Sequence, residues 1–144
     1  MLTVTVKYAL RALTELAVLP EGAALLGKEL SKRAGVPPNY LSKILWTLGG
    51  GGLIEATRGV RGGYRLGRRP ENIRLIDVAA LFEKPRGTPE CFLHDGRKCS
   101  DDDPCSAQEA WALVGEANRR FFENTTVADI SRKEPQKKRR GRTA

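Results

Sequence analysis

The chain has little with which to do covalent chemistry. Its 144 residues include one histidine, His94, and three cysteines. There is no Ser/His/Asp grouping and no phosphate-cradling Gly-Lys-Ser/Thr loop, which excludes a hydrolase triad and a nucleotide-handling P-loop. A protein that is not an enzyme is expected. Long apolar runs are missing too. Nothing approaches the roughly twenty residues that a membrane span needs, and the N-terminus has no signal-peptide hydrophobic region. The expectation is a cytoplasmic protein with no membrane partner, whose thiols begin reduced. No internal repeat is evident, and the length suits one domain with a short appendage.

Acidic residues are scarce in two places. The net charge is +8. Residues 25–69 hold nine Lys/Arg against Glu29 and Glu55, and residues 132–144 hold seven against Glu134, while the segment between is acidic. Two basic blocks imply a polyanionic partner, most simply nucleic acid. For the last fourteen residues alone the plainer reading is a disordered, solubilising tail, since they contain no large apolar side chain.

Apolar positions at Ala9, Ala12, Leu13, Leu16 and Ala17 recur at helical spacing within residues 4–19, ahead of Pro20. A second helix is expected over Leu25–Ala34 with Leu26, Leu30 and Ala34 inward, closed by Gly35. After the stiff Val36-Pro37-Pro38 turn, a third spans Pro38–Leu48 with Leu41, Ile44, Leu45 and Leu48 on one side. It is expected to stop before the glycine run Gly49–Gly52. Leu53–Ala56 and Tyr64–Leu66 read as a hairpin with a glycine-rich basic tip. Ile73–Phe82 reads as a helix with Ile76, Val78, Ala79 and Phe82 apolar. Ser106 to about Asn124 reads as a long one with a broad apolar face.

Helix, glycine turn, helix, hairpin is the winged helix-turn-helix order. The fold class expected is mainly α with a small β-hairpin, a winged unit plus a long C-terminal helix. The expected divisions are 1–84 for the DNA-binding domain, 85–105 for a cysteine-bearing sensor loop, 106–128 for the long helix and 129–144 for a disordered basic tail. A third helix with one side committed to the core leaves Asn39, Tyr40, Ser42, Lys43 and Thr47 outward. These side chains suit base edges and phosphates in a major groove. Pro38 and Lys28 belong to the same DNA-facing surface. Arg58 and Arg61, on a backbone thinned by Gly59, Gly62 and Gly63, suit the minor groove and its phosphates. A plain helical bundle with solvated charges is the competing reading. The conjunction of turn, glycine run and basic hairpin argues against it.

The cysteines all lie within one polar loop, as Cys91-x7-Cys99-x5-Cys105. Cysteine is ordinarily a small buried hydrophobe, so this placement needs a chemical reason. An odd count cannot close fully into disulfides. A metal or iron–sulfur site completed by a fourth ligand fits best. A Cys3His zinc site with His94 lacks the close Cys pair that zinc sites show. A metal-free thiol switch would use Arg97 and Lys98 beside Cys99 to activate the thiolate.

Three blocks carry a resemblance to a known family: Lys7-Tyr8-Ala9-Leu10-Arg11-Ala12-Leu13, Val36-Pro37-Pro38-Asn39-Tyr40-Leu41-Ser42-Lys43-Ile44-Leu45, and Arg58-Gly59-Val60-Arg61-Gly62-Gly63-Tyr64-Arg65-Leu66. They resemble the signature blocks of the IscR/NsrR/RirA/CymR regulators over residues 1 to about 128. The resemblance implies a dimeric winged-helix regulator, a repressor by preference, reading a pseudo-palindromic operator in double-stranded DNA as a homodimer. It makes the helix from Ser106 the dimerisation helix, with Trp111, Val114, Ala117 and Phe121 at its seam. It also implies an iron–sulfur cluster on Cys91, Cys99 and Cys105, and the RirA-like spacing favours [4Fe-4S] over [2Fe-2S]. The positions matching the family's usual fourth ligands are Gln108 and Lys7. That leaves His94, Asp101, Asp102, Asp103, Glu109 or a non-protein ligand. The signal would be iron, cluster status, nitric oxide or redox state.

Overall fold

Helix α1 (Val4–Ala17) is the central post of the fold. Thr3 caps it, its hydroxyl accepting from the Val6 amide at 3.3 Å. The sequence stripe becomes a buried face of Val6, Ala9, Leu10, Ala12, Leu13 and Leu16. The computed structural model describes residues 2–83 and 90–131. The remaining elements are α2 (Gly27–Ala34), α3 (Pro38–Gly50), β1 (Ile54–Thr57), β2 (Gly63–Leu66), a single 3-10 turn (Pro70–Asn72), α4 (Leu75–Phe82), α5 (Gln108–Asn124) and α6 (Val127–Ser131). This is the winged helix-turn-helix order that the sequence implies, with one antiparallel hairpin paired Ile54 to Leu66 through Thr57 to Gly63.

The α2–α3 turn is tight because Gly35 adopts φ +63° and the buried Ser31 hydroxyl donates to the Val36 carbonyl at 2.6 Å. Leu30 and Ala34 are buried as expected, but Leu26 is 54% exposed. Leu26 stands at the helix N-cap in extended conformation. Its neighbour Leu25 goes inward instead, exchanging backbone hydrogen bonds of 3.0 and 2.7 Å with Tyr64. The base of the hairpin is thereby fastened to the helical body. Gly63 makes this possible: with φ +141°, a side chain there would bring its Cβ within 2.5 Å of the Leu25 carbonyl.

Three boundaries differ from expectation. Helix α3 runs on through Gly49 and Gly50, because a glycine penalty matters least in a last turn, and Gly52 at φ +73° turns the chain away. Helix α4 begins at Leu75, not Ile73, and Arg74 and Asp77 close its first turn with side-chain bonds of 3.0 and 3.2 Å. The long helix ends at Asn124, as its spacing implies, so the 106–128 division holds α5 and the start of a second helix, α6. The Leu75 amide donates to the Thr125 carbonyl at 2.9 Å and the Val127 amide to the Ile73 carbonyl at 2.8 Å. That pairing draws the chain back to the body, so α6 packs on α1 with Val127 fully buried. Residues 129–131, placed in the expected tail, belong to α6. Residues 132–144, and residues 85–89 of the expected sensor loop, lie outside the described residues.

Leu13, Leu30, Leu41, Ile44, Leu48, Leu53, Ile73, Leu75 and Val78 join in a single core. At about 1.5–3 kcal/mol for each side chain fully removed from water, this cluster holds the winged unit together. Helix α5 adds one fully committed residue, Phe122, which is 7% exposed.

Candidate nucleic-acid interface and thiol loop

Helix α3 presents an uncommitted face because its four core residues fall on the opposite side. Pro38 opens it at a position where the missing amide hydrogen costs nothing. Asn39, Tyr40, Ser42 and Lys43 are all exposed, and Thr47 is half-buried. The Ser42 hydroxyl donates to the Pro38 carbonyl and the Thr47 hydroxyl to the Lys43 carbonyl, both at 3.1 Å. The two hydroxyls are thus turned back onto their own helix. Among the described residues, Asn39, Tyr40 and Lys43 have no partner for their side-chain polar ends. Tyr40 is steadied from behind: Tyr8 of α1 meets its ring edge-on at 5.9 Å, and the Arg11 guanidinium lies 5.7 Å over Tyr8. Lys28 is exposed on α2.

Beyond α3, the hairpin carries exposed Arg58 and Arg61 at its tip. The turn closes when the Gly62 amide donates to the Gly59 carbonyl at 2.9 Å. A Cβ on Gly62 would come within 2.5 Å of the Thr57 carbonyl, so Gly62, like Gly63, has a reason internal to the fold. The charges divide into two kinds. On the strands Arg65 pairs with Glu55 at 3.2 Å, and just beyond Arg69 pairs with Glu71 at 3.7 Å. Lys43, Arg58 and Arg61 make no ion pair among the described residues. Unpaired cations are what a phosphate-binding surface requires.

The thiol loop is a second, separate feature. Cys91 and Cys99 are half-buried, Cys105 is exposed, and all three are free thiols. The Cys91 amide donates to the Arg97 carbonyl at 2.8 Å, and Glu90 and Lys98 pair through their backbones as an antiparallel β-bridge, folding the loop back on itself with His94 exposed near the bend. Both ends of the loop are tied to the first turns of α5. The Trp111 indole N–H donates to the Glu90 carbonyl at 2.8 Å and its ring lies 5.6 Å from Phe92. The Gln108 side-chain amide donates to Asp101 at 2.9 Å, and its backbone amide to the Cys105 carbonyl at 3.1 Å. The donor chemistry fits a soft-metal cluster, with three free thiols on one polar loop. The described structure brings Cys91 and Cys99 onto facing arms. Among the described residues no three His, Cys, Asp or Glu side chains approach closely enough to hold a metal ion.

Of the residues assigned to a dimer seam, Val114, Ala117 and Phe121 are exposed along α5, together with Leu113 at 68%. Trp111 is half-buried and directed to the loop. Arg119 and Arg120 both bond Glu116, and the Arg119 guanidinium holds the Glu116 carboxyl below the usual carboxylate range.

A family model described as "Rrf2: Iron-dependent Transcriptional regulator" matches residues 2–133. The chain belongs to the Rrf2 family. It is a DNA-binding transcriptional regulator and not an enzyme. It is similar to the HTH-type transcriptional regulator NsrR of Geobacillus kaustophilus, with 34% identity over 129 residues, 90% of this chain and 88% of that one. Two solved Rrf2-like structures share its fold. The CymR global cysteine regulator of B. subtilis has a TM-score of 0.76 at 24% identity, covering 91% of this chain and 95% of that one. IscR of T. potens has a TM-score of 0.69 at 23% identity, covering 90% and 85%. Among the described residues no helix is long and apolar enough to cross a membrane.

Sequence reasoning overlooked four residues. Trp46 is 82% exposed on α3, Phe122 anchors α5, and Arg11 and Phe92 support Tyr8 and Trp111. Trp46 was findable: it breaks the register of Leu41, Ile44, Leu45 and Leu48. The other three act through long-range contacts that no local spacing reveals.

Proposed function

We propose that this Rrf2 protein is a homodimeric repressor that reads a pseudo-palindromic operator and whose DNA affinity is set by an iron–sulfur cluster on Cys91, Cys99 and Cys105. One observation carries the reading: Lys43 on the exposed side of α3 and Arg58 and Arg61 at the hairpin tip are unpaired among the described residues, while a three-thiol loop is fastened to α5. Asn39 and Tyr40 select bases in the major groove. Lys43 binds phosphate, and Arg58 and Arg61 follow the minor groove and its phosphates. The exposed apolar residues of α5 meet their counterparts in a second subunit, and the two α3 helices then face successive turns of one duplex.

The cluster, when bound, supplies iron held by soft sulfur ligands and open to loss or change with iron supply, nitric oxide or oxidants. [4Fe-4S] is favoured over [2Fe-2S], with His94 as candidate fourth ligand. The chain's own part is transmission. Gathering three thiols reshapes the loop that Trp111 and Gln108 tie to α5, and the two α3 helices shift their separation.

Selection of duplexes from a random library by the full chain tests the reading head. The expected product is two inverted half-sites spaced by about one helical turn, roughly 34–36 Å. A chain lacking residues 132–144 should enrich the same sequence. Loss of all sequence preference with the tail, in a chain that stays folded, would instead make this a nucleic-acid-binding protein that relies on its basic tail. Anaerobic reconstitution tests the sensor. Iron and sulfide should load onto the native chain and not onto the triple Cys→Ser variant. If neither loads, DNA binding that responds to thiol oxidation would make the loop a metal-free redox switch.

A further inference from the structure

Trp46 is the most exposed tryptophan position of the chain and the largest apolar side chain on α3 that the core does not use. It lies one turn beyond Ser42 and Lys43 on the same face, since positions 39, 43, 46 and 50 of an α-helix align. Its indole N–H meets no acceptor among the described residues. Nothing among the described residues accounts for an indole left in water at this place.

Its surroundings are shaped as a channel. An open groove of about 470 Å³ runs between α3 and the hairpin, with Trp46, Gly49 and Gly50 on one side and Ala56 and Tyr64 on the other. Gly49 and Gly50 are helical, without the positive φ that requires glycine. A Cβ on Gly50 would meet nothing within 4 Å, and on Gly49 only Ile54 at 4.0 Å. By contrast Gly51, Gly62 and Gly63 each have a neighbour within 3 Å of such a Cβ. Two glycines that neither conformation nor internal packing demands cost helix stability and leave the groove floor bare. Lys43 is next in sequence to Ser42, which lines the groove, and Arg58 and Arg61 sit at the tip of the hairpin that forms its other wall; none of the three is ion-paired among the described residues. The chemistry that matches is an anionic strand with an apolar sugar edge.

We propose that Trp46 is a DNA-contacting residue, its indole packing on the deoxyribose–phosphate backbone where one strand passes between α3 and the hairpin, with Gly49 and Gly50 leaving room for that approach. The inference rests on the winged unit being the reading head. The ring covers sugar carbons, and the indole N–H is placed to donate to a phosphate oxygen. Such a contact carries affinity and no base preference. It displaces no additional counterion, because the side chain is neutral.

The test uses the full chain and the duplex it enriches from a random library. In a Trp111→Phe background, Trp46 is the sole fluorophore of its kind, and its emission should change on saturation with that duplex. Trp46→Ala should bind about tenfold more weakly, the size typical for truncating a buried interface tryptophan. Its salt dependence and its enriched sequence should be those of the native chain. Gly50→Gln, which adds a side chain to the groove floor, should also weaken binding while leaving the fold intact by circular dichroism. Unchanged Trp46 emission with Trp46→Ala affinity within twofold of native would overturn the proposal and leave the DNA reading standing. A change of selected bases in Trp46→Ala would also overturn it, in favour of a base contact. Failure of the native chain to enrich any sequence would overturn the underlying reading instead.

Discussion

The winged unit and the α5 arm treat their apolar residues in opposite ways. In α1–α3 and the hairpin, Leu13, Leu30, Leu41, Ile44 and Leu48 are sealed within one chain. On α5, Leu113, Val114 and Phe121 stand in water, and Phe122 alone is buried. The arm also carries the thiol loop, whose donors are present without being brought together. The first region is complete by itself, and on the proposed reading the second takes a partner and a ligand. Regulation belongs where structure is unfinished, since a part already at its energy minimum has little room to respond.

The sharpest way to break this contrast is to truncate one leucine in each region. Leu13→Ala leaves a cavity in the core and should cost about 2–5 kcal/mol, enough to abolish or nearly abolish cooperative thermal unfolding. Leu113→Ala should leave the thermal midpoint of the dilute, monomeric chain almost unchanged. Equal destabilisation in that state would mean that α5 is part of the core. The next effect concerns association. Phe121→Glu places a charge on the exposed face, and sedimentation should show monomer where the native chain is expected as dimer, a loss of about 2 kcal/mol or more in association. A variant that stays dimeric would move the seam away from α5.

Much of this contrast is legible in the sequence, and the remainder has a common cause. The buried faces of α1 and α3 follow from 3.6-residue spacing, and Gly35 and Gly63 sit where the backbone needs left-handed or crowded conformations. What stays hidden is pairing at a distance. Leu25 takes the inward place expected of Leu26 because Tyr64 pairs with it. The break between α5 and α6 comes from Thr125 and Val127 bonding back to Leu75 and Ile73. The cysteine pattern is what the sequence offers toward the proposed soft-metal site, while the latch that connects the loop to α5 depends on Trp111 reaching Glu90, twenty-one residues away.

Two smaller effects separate charge from fold in each region. Lys43→Ala should leave stability unchanged and weaken all duplexes alike, flattening the logarithmic salt dependence by about 0.9 for one phosphate contact. Asn39→Ala should instead relax base choice at one position of each half-site. Matching losses of discrimination in the two variants would show that the roles are misplaced. On the arm, Arg119 lowers the Glu116 carboxyl. A depressed carboxyl contributes stability that is present above its unfolded value of about 4.3 and lost as pH falls through its folded value. Acid should therefore loosen α5 slightly, with Glu116→Gln flat over the same range. The pair is exposed, so the change in helical circular dichroism should be small.

The most direct test of the account is operator affinity, measured anaerobically, for cluster-loaded, cluster-stripped and triple Cys→Ser protein at one salt concentration. The account predicts that loaded and stripped forms differ by at least tenfold, and that the triple variant matches the stripped form and ignores iron and sulfide. Three equal affinities, in a chain that does load iron and sulfide, would contradict it.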